Sequence, residues 1–409
     1  MQLSDVDLTN ADLFQQRVPH EMFKLLRKEA PVFRHPERHG GGFWAITKHA
    51  DVKMISKSPA LFSSERQGPL MLDPKPQDLP FMQSLMLGMD PPKHRQYRGL
   101  VNKAFSPRMV NNLQGHIRET VKRIINGVIE KGACEFVEEV AALLPTEIIC
   151  EMMGVPEEDR RHIYEIGNYM IGSEDPELQR DDPVALKDAD QAAAEMFMYA
   201  GKLWEKAHTH PADDLATALV NAELDGHKLS DTDFNFFFLL LMIAGNETTR
   251  TVTTNGTITL LEHPGRLQEL RRDPSLLPGA IEEILRYAPA VHNFRRQATA
   301  DTELRGQQIR ENDKVVVWYP SANRDEEVFD NPDTFDIHRD PNDHLAFGVG
   351  EHYCLGANLA RLELNEIFRG IVSRMHDMEM TAPPRRLRST FINGVKEMRV
   401  RFTPGPIEP

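Results

Sequence analysis

The sequence predicts a mainly α fold with a smaller β-rich portion, organised as a single unit over residues 1–409. Three observations predict it. From about residue 100 to 285 the apolar positions recur at helical spacing, with few glycines inside the periodic segments. Strand signals fall outside that stretch, in Lys314-Val315-Val316-Val317-Trp318 and in the alternating Met398-Arg399-Val400-Arg401-Phe402. No internal repeat, low-complexity tract or Gly/Ser linker divides the chain.

Near the start, Pro31-Val32-Phe33 and Phe43-Trp44-Ala45-Ile46 flank Gly40-Gly41-Gly42, which predicts a β-hairpin. Residues 69 to 89 combine helix-breaking Pro69, Pro74, Pro76 and Pro80 with apolar Leu70, Met71, Leu72, Phe81, Met82, Leu85, Met86 and Met89. A long apolar loop of this kind is either pinned on the core or a lid, and methionines suit a surface that fits varied apolar ligands. Residues 231 to 263 contain no proline and run apolar through Phe236-Phe237-Phe238-Leu239-Leu240-Leu241-Met242-Ile243. With Ser230 and Asp233 as an N-terminal cap, they predict one long buried helix. Glu283-x-x-Arg286 sits on a helix that ends before Pro289, and Asn393-Gly394 predicts a two-residue hairpin turn. The β-rich portion is thus expected mainly at 31–60, 290–320 and 376–404, and the helical body mainly at 90–290 and 355–375.

At 409 residues and 40% apolar, the chain can bury a large core. Its net charge of −14 argues against nucleic acid as a partner. The three cysteines are scattered, which implies no disulfide framework and a reducing compartment. The start Met1-Gln2-Leu3-Ser4-Asp5-Val6-Asp7 lacks the basic and apolar regions of a signal peptide, and Asn235 and Asn246-Glu247 interrupt the longest apolar run. A cytoplasmic, soluble chain without a membrane anchor is expected. One segment runs against the acidic balance: no acid lies between Asp90 and Glu119, while Lys93, Arg95, Arg98, Lys103, Arg108 and Arg118 fall there. That stretch is either a solvated face or a docking surface for an acidic partner.

Two constellations carry chemistry. In Phe347-Gly348-Val349-Gly350-Glu351-His352-Tyr353-Cys354-Leu355-Gly356, one cysteine is framed by an aromatic and glycines as F-x-x-G-x-x-x-C-x-G. A thiolate ligand needs amide donors near the sulfur and a positive centre opposite, and the glycines let the chain bring amides close while Phe347 shields the sulfur. The run Leu359-Ala360-Arg361-Leu362-Glu363-Leu364 predicts a helix from about Leu355, whose N-terminal dipole favours an anion. Zinc would need a second ligand pair, and Cys134 and Cys150 lie far off with no C-x-x-C in the chain; Gly348-x-Gly350 does not complete a dinucleotide fingerprint. The second constellation is Ala244-Gly245-Asn246-Glu247-Thr248-Thr249, polar residues in the middle of the buried helix. Ala244 and Gly245 let a ligand approach the backbone, and Glu247 and Thr248 supply an acid and an alcohol able to relay protons through water. Four cationic candidates, His94, Arg98, Arg296 and His352, suit two carboxylates of a cofactor, although spacing leaves open whether they converge.

Taken with Asn331-Pro332-Asp333-Thr334-Phe335-Asp336-Ile337-x-Arg339, these motifs occur in the order and spacing of a bacterial cytochrome P450, the soluble, ferredoxin-dependent type of the haem-thiolate monooxygenase superfamily, which the chain resembles over essentially its whole length. The resemblance implies haem b, with Cys354 as proximal iron ligand framed by Phe347, Gly348 and Gly356. It places the catalytic set Ala244, Gly245, Glu247 and Thr248 over the distal oxygen site, pairs His94, Arg98, Arg296 and His352 with the haem propionates, and makes Glu283, Arg286 and Arg339 a structural charge triad. A thiolate ligand favours O–O cleavage, so the activity implied is insertion of one oxygen atom of O2 into a C–H bond. No flavin or nicotinamide motif is present, so a ferredoxin with an NAD(P)H-dependent reductase would supply electrons, docking on the helix that carries Lys93 to Arg118. The expected substrate is a hydrophobic terpenoid, steroid or branched lipid in a pocket lined by Met242, Val291, Phe294, Phe391, Ile392, Met82 and Met86. The alternative is a haem-binding sensor or carrier without turnover, and a monomer is expected.

Overall fold

In the computed structural model the described residues are 1–37, 40–102, 104–178, 189–224 and 226–408. Lys314–Trp318 is buried along its whole length, which is why a run of valines rather than an alternating pattern marks it as the middle of a sheet. Strands Val32–His35, Phe43–Ile46, Phe62–Ser63, Asn293–Ala298 and Lys314–Trp318, here β1 to β5, form one five-stranded sheet in the order β1-β2-β5-β4-β3. β1 and β2 make the expected hairpin, with Val32 opposite Ile46 and His35 opposite Phe43. β5 runs parallel to β2, and antiparallel to β4 with Val316 opposite Arg295.

The central helix spans Asp231–Glu262 without a break. Ser230 caps it: its hydroxyl accepts from the Asp233 amide, and the Asp233 carboxylate accepts from the Ser230 amide at 3.1 Å, a reciprocal box that satisfies two otherwise orphaned donors. The helix is packed on several sides, by Leu143–Met152, Glu157–Ile171, Leu277–Tyr287 and Ala357–Arg374. An all-round partner set explains why it lacks a polar face. At Gly256 the crossing is so close that a Cβ would lie 2.6 Å from Phe368 and 2.8 Å from Ile284.

Several local expectations change. Within 69–89 a short helix forms at Leu79–Ser84, because Pro80 falls in its first turn, where the missing N–H costs nothing. The basic stretch is not one helix: it divides into Lys93–Val101, Pro107–Asn112 and the start of Gln114–Ile129. Asn393-Gly394 is not a two-residue turn. The strands Arg385–Arg386 and Val395–Glu397 are joined by a longer excursion, in which the Asn393 amide donates to the Ala290 carbonyl at 2.8 Å and its side chain to Pro289 at 3.2 Å. Those tertiary bonds outweigh the local turn preference. The alternating segment behaves as expected, with Met398, Val400 and Phe402 buried and Arg399 and Arg401 exposed. It pairs with Ala133–Glu135, a short strand inside the otherwise helical body. Among the described residues, no helix is long and apolar enough to cross a membrane.

Candidate active site

The cysteine loop owes its shape to two glycines. Gly348 and Gly350 have φ of +68° and +81°, and a Cβ on Gly350 would come within 2.5 Å of the Ser56 carbonyl oxygen. The loop closes when the Cys354 amide donates to the Phe347 carbonyl at 2.8 Å. Gly356, at φ −85°, needs no special backbone; its role is space, since a Cβ there would meet nothing within 4 Å. The helix Ala357–Arg374 begins three residues beyond Cys354, so the sulfur sits near its positive end. Burial pushes the Cys354 thiol up, while the Gly356 amide, Arg98 and Arg361 oppose that shift. Arg361 also lies 4.5 Å over the Phe347 ring and pairs with Glu282 at 2.7 Å, which fixes the aromatic shield.

Cys354 lines a cavity whose opposite wall is the central helix. Leu241, Ala244, Gly245, Thr248, Thr249 and Val252 line it, a row at spacings of three and four. The Thr248 hydroxyl donates to the Ala244 carbonyl at 2.7 Å. Glu247 is placed differently. It is 4% exposed, is not among the lining residues, forms an ion pair with Arg250 and accepts from the Thr251 hydroxyl at 3.2 Å. Arg250 is itself held by the Tyr164 hydroxyl and the Asn168 amide oxygen, both at 2.8 Å.

His94, Arg98, Arg296 and His352 converge on the same cavity. The His94 and His352 rings lie 4.3 Å apart. Among the described residues neither Arg98 nor Arg296 makes an ion pair: Arg98 donates to the Glu351 carbonyl at 3.4 Å and Arg296 to the Arg295 carbonyl at 2.7 Å. Nδ1 of His94 is buried without a partner. Burial first, and then the neighbouring guanidiniums, lower His94 to about 4 and His352 to about 2. The guanidiniums of Arg98 and Arg296, without an ion pair among the described residues, are costly in so enclosed a site until an anion meets them. The arrangement therefore fits a flat group bearing carboxylates, with a thiol on one face and Ala244 and Gly245 on the other.

The expected pocket residues separate. Met86, Val291 and Phe294 line the cavity. Met242, Met82, Phe391 and Ile392 do not. Met242 lies two residues before Ala244, about 200° around a helix of 3.6 residues per turn, and is 3% exposed in the core. Phe391 and Ile392 stand behind the wall: Phe391 packs edge-on to Phe294 at 5.5 Å, and Ile392 bridges Val291. Met82 packs under Gly68, where a Cβ would be 3.3 Å from it. Glu283 and Arg286 form a fully buried pair at 2.7 Å, and Arg339 joins Glu283 at 3.1 Å. Among the lining residues to which the sequence reading gave no role are the polar Thr249 and Glu363. Glu363 had a signal: it is the acid inside the apolar run after the cysteine.

A long helix facing a loop-held thiol across a slot with cationic edges defines a haem-protein active site. The cytochrome P450 family model matches residues 10–392, and the chain belongs to that family. It is 40% identical over 409 residues to the steroid C26-monooxygenase of Mycobacterium tuberculosis, covering 97% of this chain and 92% of that protein. It is 37% identical over 414 residues to the methyl-branched lipid omega-hydroxylase of Mycobacterium bovis, covering 98% and 95%. A Mycobacterium marinum cytochrome P450 solved in complex with pseudoionone superposes with a TM-score of 0.90 at 35% identity, covering 97% and 98%. The protein is a P450 monooxygenase that uses haem b and oxidises a hydrophobic substrate with O2 and a redox partner.

Proposed function

We propose that the chain hydroxylates an uncharged alkyl terminus, on a steroid side chain or a methyl-branched lipid, with electrons from a ferredoxin. The observation that carries this is the wall itself. Met86, Leu87, Leu240, Ala244, Val291 and Phe294 line the cavity, and its acidic and basic lining residues are confined to His94, Arg98, Arg296, His352 and Glu363, of which only the two arginines are charged at neutral pH. Such a wall binds by apolar burial, at roughly 25 cal/mol per Å², and with Arg98 and Arg296 taken by the cofactor's carboxylates it offers no further counter-ion to a substrate carboxylate. The names of the similar proteins support the same substrate classes.

Haem, bound to a thiolate, supplies the oxygen chemistry. In this reading Cys354 holds the iron, Phe347, Gly348 and Gly356 give the sulfur its shielded, roomy loop, and His94, Arg98, Arg296 and His352 hold the carboxylates. Ala244 and Gly245 keep side-chain bulk off the opposite face. Thr248 passes protons from cavity water, and Glu247 refills that water once Arg250 releases it. Glu283, Arg286 and Arg339 lock the segment that leads to the cysteine loop. Arg108 on the exposed helix Pro107–Asn112 is the clearest ferredoxin contact; Arg95 pairs with Glu351 and Arg118 pairs with Glu366 at 3.1 Å, and Lys103 lies outside the described residues.

The test is a panel of steroids with alkyl side chains, methyl-branched fatty alcohols, linear fatty acids and terpenoids, each assayed for binding and for aerobic product with a surrogate ferredoxin system. Terminally hydroxylated product from a steroid or branched lipid is expected. Turnover confined to free fatty acids would overturn the uncharged-terminus reading, and binding without oxygen consumption would return the sensor reading.

A further inference from the structure

Glu282 stands one residue before the buried Glu283 on the helix Leu277–Tyr287, yet its carboxylate is engaged with a different set of partners. Its two oxygens accept from Nε and Nη2 of Arg361 at 2.7 and 2.8 Å, a bidentate fork, and Oε2 also accepts from Nε2 of His344 at 3.1 Å. The Ala346 amide donates to Nδ1 of His344 at 3.2 Å, which leaves the ring N–H on Nε2, where it meets Glu282. Glu282 thereby ties the chain before the cysteine frame to the helix after it. Held this way, the Arg361 guanidinium lies 4.5 Å over the Phe347 ring and donates to the Tyr353 hydroxyl at 3.3 Å. Both of those residues are joined to the cysteine: Tyr353 precedes it in the chain, and the Phe347 carbonyl accepts from the Cys354 amide at 2.8 Å. Among the described residues two cations act on the Cys354 sulfur, Arg98 and Arg361, and no acid does. Arg98 lines the cavity and Arg361 does not, so it is Arg361 whose charge a cofactor carboxylate would not cancel. Glu282 stays ionised: against burial, the bonds from Arg361 and His344 hold it down at about 2.

We propose that the Glu282–Arg361 clasp fixes one positive charge beside the cysteine loop and so sets how readily the thiolate-held iron accepts its first electron. Arg361 adds positive potential where negative charge grows on reduction, and a charge in a partly enclosed site is screened less than one in water. Arginine suits the role because its planar fork meets both carboxylate oxygens while its face covers the phenyl ring. Glu282 acts through Arg361, whose side chain is 32% exposed and would otherwise spread into solvent, and His344 acts through Glu282; all three are positioning residues. The clasp makes and breaks no bond, and the electron comes from the redox partner. The proposal rests on the reading of Cys354 as the iron ligand.

Spectroelectrochemical titration of the holoenzyme with small mediators reads the potential without any ferredoxin, so a docking role of Arg361 cannot produce the result. R361Q should shift the ferric–ferrous equilibrium about tenfold toward ferric, ~59 mV lower for a one-electron couple. E282Q should move it the same way by about threefold, because the cation stays but is no longer held, and the double variant E282Q/R361Q should match R361Q rather than add to it. R361K, which keeps the charge without the fork, should fall between wild type and R361Q. A purely structural tie between two helices would lower the denaturation midpoint of these variants and leave the potential in place. A wild-type potential in R361Q, a potential in E282Q equal to or above wild type, an R361K as low as R361Q, or full additivity in the double variant overturns the proposal. If R361Q does not retain haem, R361K and E282Q decide the matter, and wild-type potentials in both overturn it. A wild type that lacks the thiolate-type carbon monoxide band fails the reading of Cys354 instead, whereas one that has the band while R361Q keeps its potential fails the clasp alone.

Discussion

Thr248 and Glu247 are adjacent in the chain, yet only Thr248 reaches the cavity. Thr248→Ala should therefore leave haem and substrate binding intact and divert reducing equivalents to hydrogen peroxide. Product formed per NAD(P)H consumed is the measurement, and a wild-type ratio would show that Thr248 has been given the wrong role. His292 makes a pH prediction. It is fully buried, and burial lowers it from the ordinary 6.5 to about 4, with Arg386 adding to that shift. The unfolded chain thus binds a proton that folded His292 refuses, so stability is full above about 6.5 and falls as pH drops toward about 4. His292→Gln should flatten the acid limb of a denaturation-midpoint profile; an unchanged limb would place the acid sensitivity elsewhere. At this scale the sequence was legible where residue type and spacing were both unusual, as in the cysteine frame. It was illegible where facing mattered: Met242 and Ala244 share an apolar run but not a helix face, and Glu363 read as one polar position in an apolar helix.

Among the elements, the central helix is held at its start and at its narrowest crossing. Ser230→Ala removes one side of the capping box and should cost about 1 kcal/mol. Gly256→Ala sets two effects against each other. Helix propensity favours alanine by about 1 kcal/mol, but a Cβ 2.6 Å from Phe368 must displace packed side chains, at roughly 1–3 kcal/mol. Overpacking should win, so the denaturation midpoint falls; a midpoint above wild type would mean that Phe368 and Ile284 move aside freely. The long helix, the Lys314–Trp318 strand and the early hairpin were readable because period, caps and glycines agree. Asn393-Gly394 was misread because a turn signal competes with bonds to Ala290 and Pro289 that only the folded chain supplies. The basic stretch broke into three helices at Ser106-Pro107 and Leu113, where charge rather than backbone preference had been followed.

Across the whole molecule, ion pairs tie distant segments to the cavity's frame. Glu283 accepts from Arg286, from Arg339, from Asn342 and from the Asp336 amide, all while fully buried. Glu283→Ala would strand two guanidiniums and should cost roughly 3–5 kcal/mol, seen as loss of folded, haem-loaded protein. Partner docking belongs to the surface: Arg108→Glu combined with Lys103→Glu should slow reduction by ferredoxin at low salt, with the difference fading over a screening length of roughly 10 Å at moderate ionic strength. Equal stopped-flow rates at low salt would return this stretch to a solvated face. The proposed function depends on the Cys354 sulfur holding the haem iron. The reduced carbon monoxide spectrum of wild type and Cys354→His tests it most directly: wild type should give the red-shifted thiolate-type Soret band and the variant should lose it, whereas the same band in both would contradict the assignment of Cys354.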